Sequence, residues 1–150
     1  MLVKDIMSRS IRTVQSNTPL LEVSSLMCLY RLSGLPVVED GQLVGFVAEK
    51  DVLSRLFPTL SDFRDGMMGV DYDAMEAQYK EVMHLKTGDI MATRVVSVSP
   101  DMHALQAAAT MVRHNFRRIP VARDGILEGM LSLGDVHKAL FHGNVSKAGR

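Results

Sequence analysis

The chain has 150 residues, of which 47% are hydrophobic and 23% charged, a composition typical of a globular protein rather than a disordered one. Its 17 basic and 17 acidic residues balance, so it lacks the basic excess of a typical nucleic-acid-binding protein, and no nucleic acid is expected as a partner. No run of about 18 apolar residues predicts a membrane helix, and residues 1–5 have no apolar signal-peptide core, so we expect a cytoplasmic protein without a membrane partner.

The first predicted elements are a short β-rich run at residues 11–14 and a helix at residues 19–32, which follows a polar break containing a proline. The apolar stripe of this helix has four members and is widened by two more: Leu20, Val23, Met27 and Tyr30, then Leu26 and Leu29. The single cysteine, Cys28, lies in this apolar stretch. We interpret it as a small core residue, and its solitary state fits a reducing compartment.

Two strands and a closing helix come next. The strands are predicted at residues 35–38 and 43–48, joined at Asp40-Gly41, because Asp-Gly between apolar runs is a strong signal for a tight turn. A helix at residues 51–57 follows. The unit is therefore β-α-β-β-α.

An insertion follows at residues 58–86. A helix is predicted at residues 71–85, with one face formed by Tyr72, Met75, Tyr79, Val82 and Met83. This helix either packs against the rest of the module or forms a contact surface for a partner, and the sequence leaves both possibilities open. The tail at 142–150 is predicted to be flexible.

The chain matches itself without a gap after a shift of 84 residues. Identical residues coincide at 16 of the 53 positions from Asp5 to Phe57. The second copy thus predicts a β-rich run at 95–98, an alanine-rich helix at 103–115, two strands around Asp124-Gly125 and a closing helix at 135–141. We predict a first repeat at 1–57 and a second at 87–141, packed sheet to sheet over one shared core with an intramolecular pseudo-twofold.

Four motifs recur in the same order in both repeats. In the second repeat they are Asp89-Ile90-Met91, Ile119-Pro120-Val121, Asp124-Gly125, and Gly129 with Ser132 and Asp135. In the first they are Asp5-Ile6-Met7, Leu35-Pro36-Val37, Asp40-Gly41, and Gly45 with Ala48 and Asp51. This series resembles the family of cystathionine-β-synthase (CBS) domains, whose last motif reads Gly-x-x-Ser/Thr-x-x-Asp. The resemblance covers nearly all of the chain except the insertion and the tail. It implies an α/β (α+β) fold of two repeats, a Bateman module.

The resemblance also implies a ligand and an assembly. Such modules bind adenine nucleotides or related adenosine compounds in clefts between the repeats, and they commonly pair into disc-like dimers. The last Asp of the motifs typically holds the ribose hydroxyls, the Ser or Thr before it contacts ribose or phosphate, and basic residues before the hydrophobic-Pro-Val strand reach the phosphates. By resemblance we expect AMP, ADP or ATP as a regulatory ligand rather than an obligatory cofactor, and a homodimer as the assembly.

Carried over to the second repeat, these roles predict a binding set of seven residues: Asp135, Ser132, Arg117, Arg118, Ile119, Pro120 and Ser97. The physical logic agrees with the resemblance. A carboxylate accepts charge-assisted hydrogen bonds from two adjacent hydroxyls, an arginine binds phosphate bidentately, and adenine needs an apolar slot with main-chain hydrogen bonds.

The first repeat predicts a weaker cleft. It keeps Asp51, but Ala48 replaces the hydroxyl residue and Ser33-Gly34 replaces the arginine pair. Because each cleft of such a module borrows side chains from the other repeat, three basic residues remain candidates for crossing over: Lys4, Lys50 and Arg31. His137 and Lys138 are weaker phosphate candidates.

Each candidate has a structural alternative. Ser132 and Asp135 also fit a capping box, Asp51 fits plain helix capping, and the arginine pair fits a solvated surface. Gly45 and Gly129 permit the close approach of either a ligand or another strand.

The sequence contains no nucleophile elbow, phosphate-binding loop or clustered metal ligands, and its five histidines are scattered, so neither an enzyme nor a metal site is expected. We predict a non-catalytic regulatory module that senses an adenosine ligand and modulates its own assembly or a separate effector protein. The alternative is a ligand-independent dimerisation scaffold.

Overall fold

The structure is a computed structural model that describes residues 1–57 and 71–145. The elements in chain order are α1 Val3–Ile6, α2 Leu20–Tyr30, β1 Gly34–Glu39, β2 Gln42–Ala48, α3 Glu49–Ser54, α4 Tyr72–Ala77, α5 Tyr79–Val82, α6 Thr87–Ile90, α7 Ala104–His114, β3 Arg118–Arg123, β4 Ile126–Ser132 and α8 Leu133–Asn144. Residues 58–70 of the insertion and 146–150 of the tail lie outside the described residues. No helix in the described ranges is long and apolar enough to cross a membrane.

Two β-hairpins confirm the predicted α+β repeats. Asp40 and Gly41, with φ of 50° and 81°, join β1 to β2, and Asp124 and Gly125, with φ of 52° and 81°, join β3 to β4. Two successive residues with positive φ form a type I′ turn, which Asp-Gly favours because glycine has no Cβ to clash. Each hairpin is a pair of neighbouring strands, β1 with β2 and β3 with β4.

The chain divides into two compact units, each with its own hydrophobic cluster. Unit 1 consists of Met1–Arg12, Asp40–Leu43 and Val96–Arg150. Its buried residues come from α1, α7, β3, β4, α8 and their connections: Val3, Met7, Val98, Ala104, Ala107, Met111, Ile119, Val121, Leu131 and Val136. Two alanines of the alanine-rich helix α7, Ala104 and Ala107, are completely buried in this core.

Unit 2 consists of Thr13–Glu39 and Val44–Val95. Its buried cluster combines the first repeat with the end of the insertion: Val14, Leu20, Val23, Met27, Leu35, Val37, Val47, Val52, Val82 and Met83. The described residues thus form two buried clusters, one in each unit.

Each unit is completed by an opening segment from the other repeat. In unit 1, Ser8 and Met130 exchange main-chain hydrogen bonds of 2.8 and 2.9 Å. In unit 2, Phe46 and Ala92 exchange two of 2.9 Å. The segments cover the apolar face that each repeat leaves open, since Met7 is buried in unit 1 and Met91 packs against the core of unit 2.

Gly129 and Gly45 make these contacts possible. A Cβ on Gly129 would lie 2.7 Å from the Sδ of Met7 and 2.8 Å from the carbonyl oxygen of Ser8. A Cβ on Gly45 would lie 2.6 Å from the Sδ of Met91. In both repeats the glycine therefore admits another segment of this chain, which answers the question that the sequence left open.

The β-rich runs before the first helices are not strands. Each contributes one isolated parallel bridge, Val14 to Val37 and Val98 to Val121. The bridges are nevertheless anchored by main-chain bonds: the N–H of Val98 donates to the carbonyl of Pro120 at 3.0 Å.

The first long helix buries a narrower stripe than predicted. Leu20, Val23 and Met27 are buried, whereas Tyr30 is 42% exposed and Leu29 is 69% exposed. Cys28 is also exposed, so our interpretation of it as a core residue is wrong. The reason is that this helix is apolar on nearly all sides, so composition alone does not identify the buried face.

In residues 71–86, the described part of the insertion, the predicted helix is replaced by two short helices, α4 and α5, with Gln78 between them. Of the predicted apolar face, Val82 and Met83 are buried in unit 2, whereas Tyr72 and Tyr79 are exposed. At the other end of the chain, α8 continues to Asn144, three residues beyond the predicted end.

Candidate functional site

The start of α8 in unit 1 holds the two residues predicted to bind ribose. Ser132 is the N-cap residue, and its Oγ accepts a hydrogen bond from the N–H of Asp135 at 2.9 Å. The Oδ2 of Asp135 in turn accepts from the N–H of Ser132 at 2.9 Å. This reciprocal capping box orients both side chains at the helix start. Among residues 1–57 and 71–145, the second carboxylate oxygen of Asp135 has no hydrogen-bond partner.

The two arginines are brought to the same place by β3. Arg118 lies directly opposite Ser132 in the antiparallel pair of β3 and β4, so their side chains share one face of the hairpin. The carbonyl of Arg117 accepts from the N–H of Leu133 at 2.9 Å, which fixes the chain beside the first turn of α8. The structure thus gathers Arg117, Arg118, Ser132 and Asp135 around one helix terminus.

Both guanidinium groups are accessible to an anion. Arg117 and Arg118 are exposed, and neither forms an ion pair or side-chain hydrogen bond within the described ranges. A helix N-terminus carries a partial positive charge, and here it lies next to two full positive charges. The arrangement can therefore accept a phosphate group beside a carboxylate suited to hydroxyls.

The residues predicted to line an adenine slot have different surroundings. Ser97 is exposed and precedes Val98, which bridges to β3. Pro120 is buried and shares the face of Arg118, opposite Met130. Ile119 is completely buried in the core of unit 1, so its side chain is not available to a ligand and only its main chain could contribute.

The equivalent place in unit 2 has the same backbone and different side chains. The Oδ2 of Asp51 accepts from the N–H of Ala48 at 2.8 Å, and the carbonyl of Ser33 accepts from the N–H of Glu49 at 2.9 Å. Ala48 offers no hydroxyl, and Ser33 and Gly34 offer no positive charge. Asp51 is therefore held as a helix-capping residue, without the groups that would bind phosphate.

Lys4, a candidate for crossing over, is engaged elsewhere in unit 1. Its Nζ lies 3.1 Å from Oδ1 of Asp101, and Nη1 of Arg123 lies 2.7 Å from Oδ2 of the same carboxylate. Hydrogen bonds from Arg123, and then from Lys4, lower the pKa of Asp101 to about 2. This exposed network ties the N-terminal segment to the end of β3.

Sequence comparison of the repeats missed one feature of this region. It identified the loss of basic residues at Ser33-Gly34, but not that the ring of Phe46 lies against Gly34. The available signal was the alignment itself, since Phe46 coincides with Met130 at the shift of 84. As for metals, no group of three or more potential ligands occurs in the part of the chain that the structure describes.

Comparison with known proteins identifies the family. The family model for the CBS domain matches residues 3–58 and 88–142. The CBS domain-containing protein YhcV of Bacillus subtilis is 31% identical over 134 residues, which cover 89% of this chain and 81% of that protein. The protein MJ1426 of Methanocaldococcus jannaschii is 32% identical over 154 residues, covering 93% of this chain and 91% of that protein.

A solved structure shows the same architecture. The crystal structure of CBSX2 in complex with AMP superposes with a TM-score of 0.72 and 26% identity, covering 94% of this chain and 96% of that one. CBSX2 is described as a CBS-pair protein from Arabidopsis thaliana. Two matches to the family model in one chain, together with this structural likeness, show that the protein belongs to the CBS-domain family as a tandem pair.

Proposed function

We propose that the protein is a non-catalytic regulatory module that binds an adenine nucleotide at the start of α8 in unit 1. The observation that carries the proposal is the gathering of Arg117, Arg118, Ser132 and Asp135 around that helix terminus. CBSX2, which shares this fold, is described in complex with AMP, and that description supports an adenosine ligand here.

Each residue has a role that follows from its position. The open oxygen of Asp135 accepts from the ribose hydroxyls, and the Oγ of Ser132, already accepting one hydrogen bond, can donate its own proton to ribose or phosphate. Arg117 and Arg118 bind the phosphate bidentately. The adenine ring contacts the chain near Ser97 and the Pro120 face, with the Ile119 main chain as a partner. The Asp51 region of unit 2 is a weaker second site, for an adenosine ligand without a phosphate.

The regulatory output follows from linkage between sites. A nucleotide that binds one conformation more tightly shifts the population toward it, and a homodimer contact or a separate effector protein that prefers the same conformation is then strengthened. AMP, ADP and ATP differ in phosphate number, and the two arginines provide the charge that would distinguish them. The ligand acts as a regulator and not as an obligatory cofactor.

The test is a thermal-shift and calorimetric titration of AMP, ADP and ATP against the wild type and Asp135→Ala. A nucleotide at 100 times its dissociation constant should stabilise the folded wild type by about 2.7 kcal/mol. Asp135→Ala should lose that stabilisation, because the ribose hydroxyls lose their acceptor.

Asp51→Ala is the matched control. Asp51 and Asp135 cap α3 and α8 in the same way, so both substitutions remove an N-terminal capping carboxylate. We expect the Asp51→Ala variant to keep the nucleotide response. If no adenine nucleotide stabilises the wild type, or if both variants respond equally, a site at the start of α8 is ruled out.

A dimerisation scaffold is the second candidate, and exposed apolar residues at equivalent places favour it. Leu21 and Leu105, which coincide at the shift of 84, are 65% and 50% exposed, and Phe57 and Phe141 are 53% and 50% exposed. A second copy of the chain could cover these side chains. Sedimentation of Leu21→Lys and Leu105→Lys should then show monomers, with Gln106→Lys remaining dimeric. A dimer that forms without any nucleotide response would favour the scaffold.

A further inference from the structure

The outer face of the hairpin β3-β4 carries the candidate phosphate-binding side chain. In the register of this pair Arg118 is opposite Ser132, and Pro120 is opposite Met130. Side chains alternate between the two faces of a strand, so these four share the face that points away from the core residue Leu131. Met130 is a flexible, unbranched side chain, and Arg118 is exposed.

The same face in unit 2 is built from the equivalent positions Gly34, Pro36, Phe46 and Ala48. A Cβ added to Gly34 would collide with Cε1 of Phe46, and it would lie 3.0 Å from Cζ of the ring and 3.1 Å from the carbonyl oxygen of Val47. The position that holds an arginine in unit 1 is therefore occupied in unit 2 by an aromatic ring. Gly34 and Phe46 form a coupled pair, since the ring can lie where it does only if residue 34 has no side chain.

Charge at the two helix starts differs in the same sense. Unit 1 has Arg117 and Arg118 beside a first turn in which Leu133 and Gly134 precede Asp135. Unit 2 has Ser33 and Gly34 at the equivalent positions, and its first turn reads Glu49-Lys50-Asp51. Glu49 and Lys50 carry opposite charges, so this first turn has the same net charge as Leu133-Gly134-Asp135. The start of α3 differs in lacking the positive charge that the arginine pair gives the start of α8.

We propose that Phe46 is a specificity-determining residue that excludes phosphate-bearing ligands from unit 2. Its ring covers the position from which an arginine would reach a phosphate. Each chain therefore binds one phosphate-bearing nucleotide, and it binds it in unit 1. The inference rests on the proposed function for the ligand itself. The steric coupling of Phe46 with Gly34 does not rest on it, and the experiments separate the two.

The first experiment needs no ligand. Gly34→Arg, Phe46→Met and the double substitution are compared by thermal unfolding, together with the wild type. Gly34→Arg alone should lower Tm by about 3–10 °C, because overpacking against a rigid ring forces a rearrangement. In the Phe46→Met background the same substitution should cost little. Additive effects of the two substitutions would overturn the steric part of the proposal.

The second experiment rebuilds the site and measures AMP binding by isothermal titration. The wild type should bind one AMP per chain, and two per chain would overturn the proposal. In an Asp135→Ala background, the substitutions Ser33→Arg, Gly34→Arg and Ala48→Ser are combined with or without Phe46→Met. AMP should bind about 10- to 100-fold more tightly when Phe46 is replaced, as expected for recovering one or two charge-assisted hydrogen bonds.

The outcomes are distinct. Equal AMP affinity with and without Phe46→Met would show that the ring does not determine specificity, even if the wild type binds AMP in unit 1. Absence of AMP binding to the wild type would overturn the proposed function and the ligand assignment of unit 2 together. The unfolding comparison would still decide whether Phe46 blocks residue 34.

Discussion

In both units a side chain at the end of a strand binds the loop before the long helix, an interaction that we call the joint. The donor and the acceptor change places between the two units. At the end of β3, Arg123 binds the carboxylate of Asp101 in the loop before α7. At the end of β1, Glu39 accepts hydrogen bonds from the main chain and the hydroxyl of Ser16, in the loop before α2. In unit 1 the strand carries the positive charge and the loop the acceptor, whereas in unit 2 the strand carries the acceptor and the loop the donors.

Main-chain hydrogen bonds at the helix starts, in contrast, are the same in both units. The main-chain bond from Leu133 to Arg117 in unit 1 has its counterpart from Glu49 to Ser33 in unit 2, both at 2.9 Å. None of these four side chains takes part in the bond. Because the backbone holds the geometry, the side chains at the helix start can diverge, as they have between the two units, without loss of the fold.

The largest expected effect tests whether the two cores are separate. Leu35 and Ile119 occupy equivalent strand positions and are 1% and 0% exposed. Replacing either by alanine should lower the free energy of unfolding by about 2–5 kcal/mol, because it leaves a cavity. Denaturant unfolding of both single variants and the double variant measures this. The effects should add to within about 0.5 kcal/mol, since the residues lie in different clusters. A larger coupling energy would mean that the cores act as one.

A second prediction concerns the N-cap residues of α8 and α3, Ser132 and Ala48. Ser132→Ala removes the acceptor for the N–H of Asp135 and should destabilise the protein by about 1 kcal/mol. Ala48 has nearly the same backbone conformation, φ −118° and ψ 161° against −110° and 158°, so Ala48→Ser should stabilise by a similar amount. Urea unfolding checks both signs. Ser97→Ala, at an exposed serine that caps no helix, is the control and should be neutral. Destabilisation by Ala48→Ser would show that α3 cannot use the hydroxyl.

The elements that local chemistry specifies were predictable from the sequence. The two turns require residues that tolerate positive φ, as Asp-Gly does. The apolar strands on either side of each turn then specify a hairpin. The capping pair Ser132 and Asp135 was visible as a pattern three residues apart. The expectation that Arg117 and Arg118 belong to the same site came from the family resemblance and not from local chemistry.

What depends on packing between distant segments was not predictable. The four-residue helices α1 and α6 carry no local signal for where they pack, so their exchange between the two repeats could not be predicted. The exposure of Cys28 escaped prediction because its helix is apolar on several sides. The position of the Phe46 ring against Gly34 depends on a rotamer that spacing in the sequence does not determine.

A third prediction concerns the ends of the two long helices. Arg31 and Asn115 both adopt the left-handed conformation, with φ of 54° and 58°. Asparagine tolerates this conformation better than arginine. Arg31→Asn should therefore stabilise the protein by about 0.5–1 kcal/mol, and Asn115→Arg should destabilise it by a similar amount. Thermal unfolding at matched ionic strength measures both. Arg31→Lys keeps the charge and the strain, so it should change nothing; if it stabilises as much as Arg31→Asn, backbone strain is not the cause.

The smallest expected effect concerns the ion pairs of Asp101 at the joint of unit 1. The pKa of Asp101 is lowered to about 2 by Arg123 and Lys4, compared with about 3.9 for an unfolded aspartate. The ionised form is favoured in the folded state, so the interaction contributes stability above about pH 4, and that contribution is lost as the pH falls toward 2. The stability difference between the wild type and Asp101→Asn should therefore shrink over this window. A pH-independent difference would contradict the ion pair.

The matched variant in unit 2 is Glu39→Gln, and salt distinguishes the two. The hydroxyl and the main-chain N–H of Ser16 lower the pKa of Glu39, so its stabilising effect also fades as the pH falls. Its partners are neutral, whereas those of Asp101 are cations. At 1 M NaCl the screening length is about 3 Å, and the effect of Asp101→Asn should diminish because its exposed ion pairs are screened. The effect of Glu39→Gln should persist. Equal salt sensitivity would mean that the two joints, despite their different side chains, are held by the same kind of force.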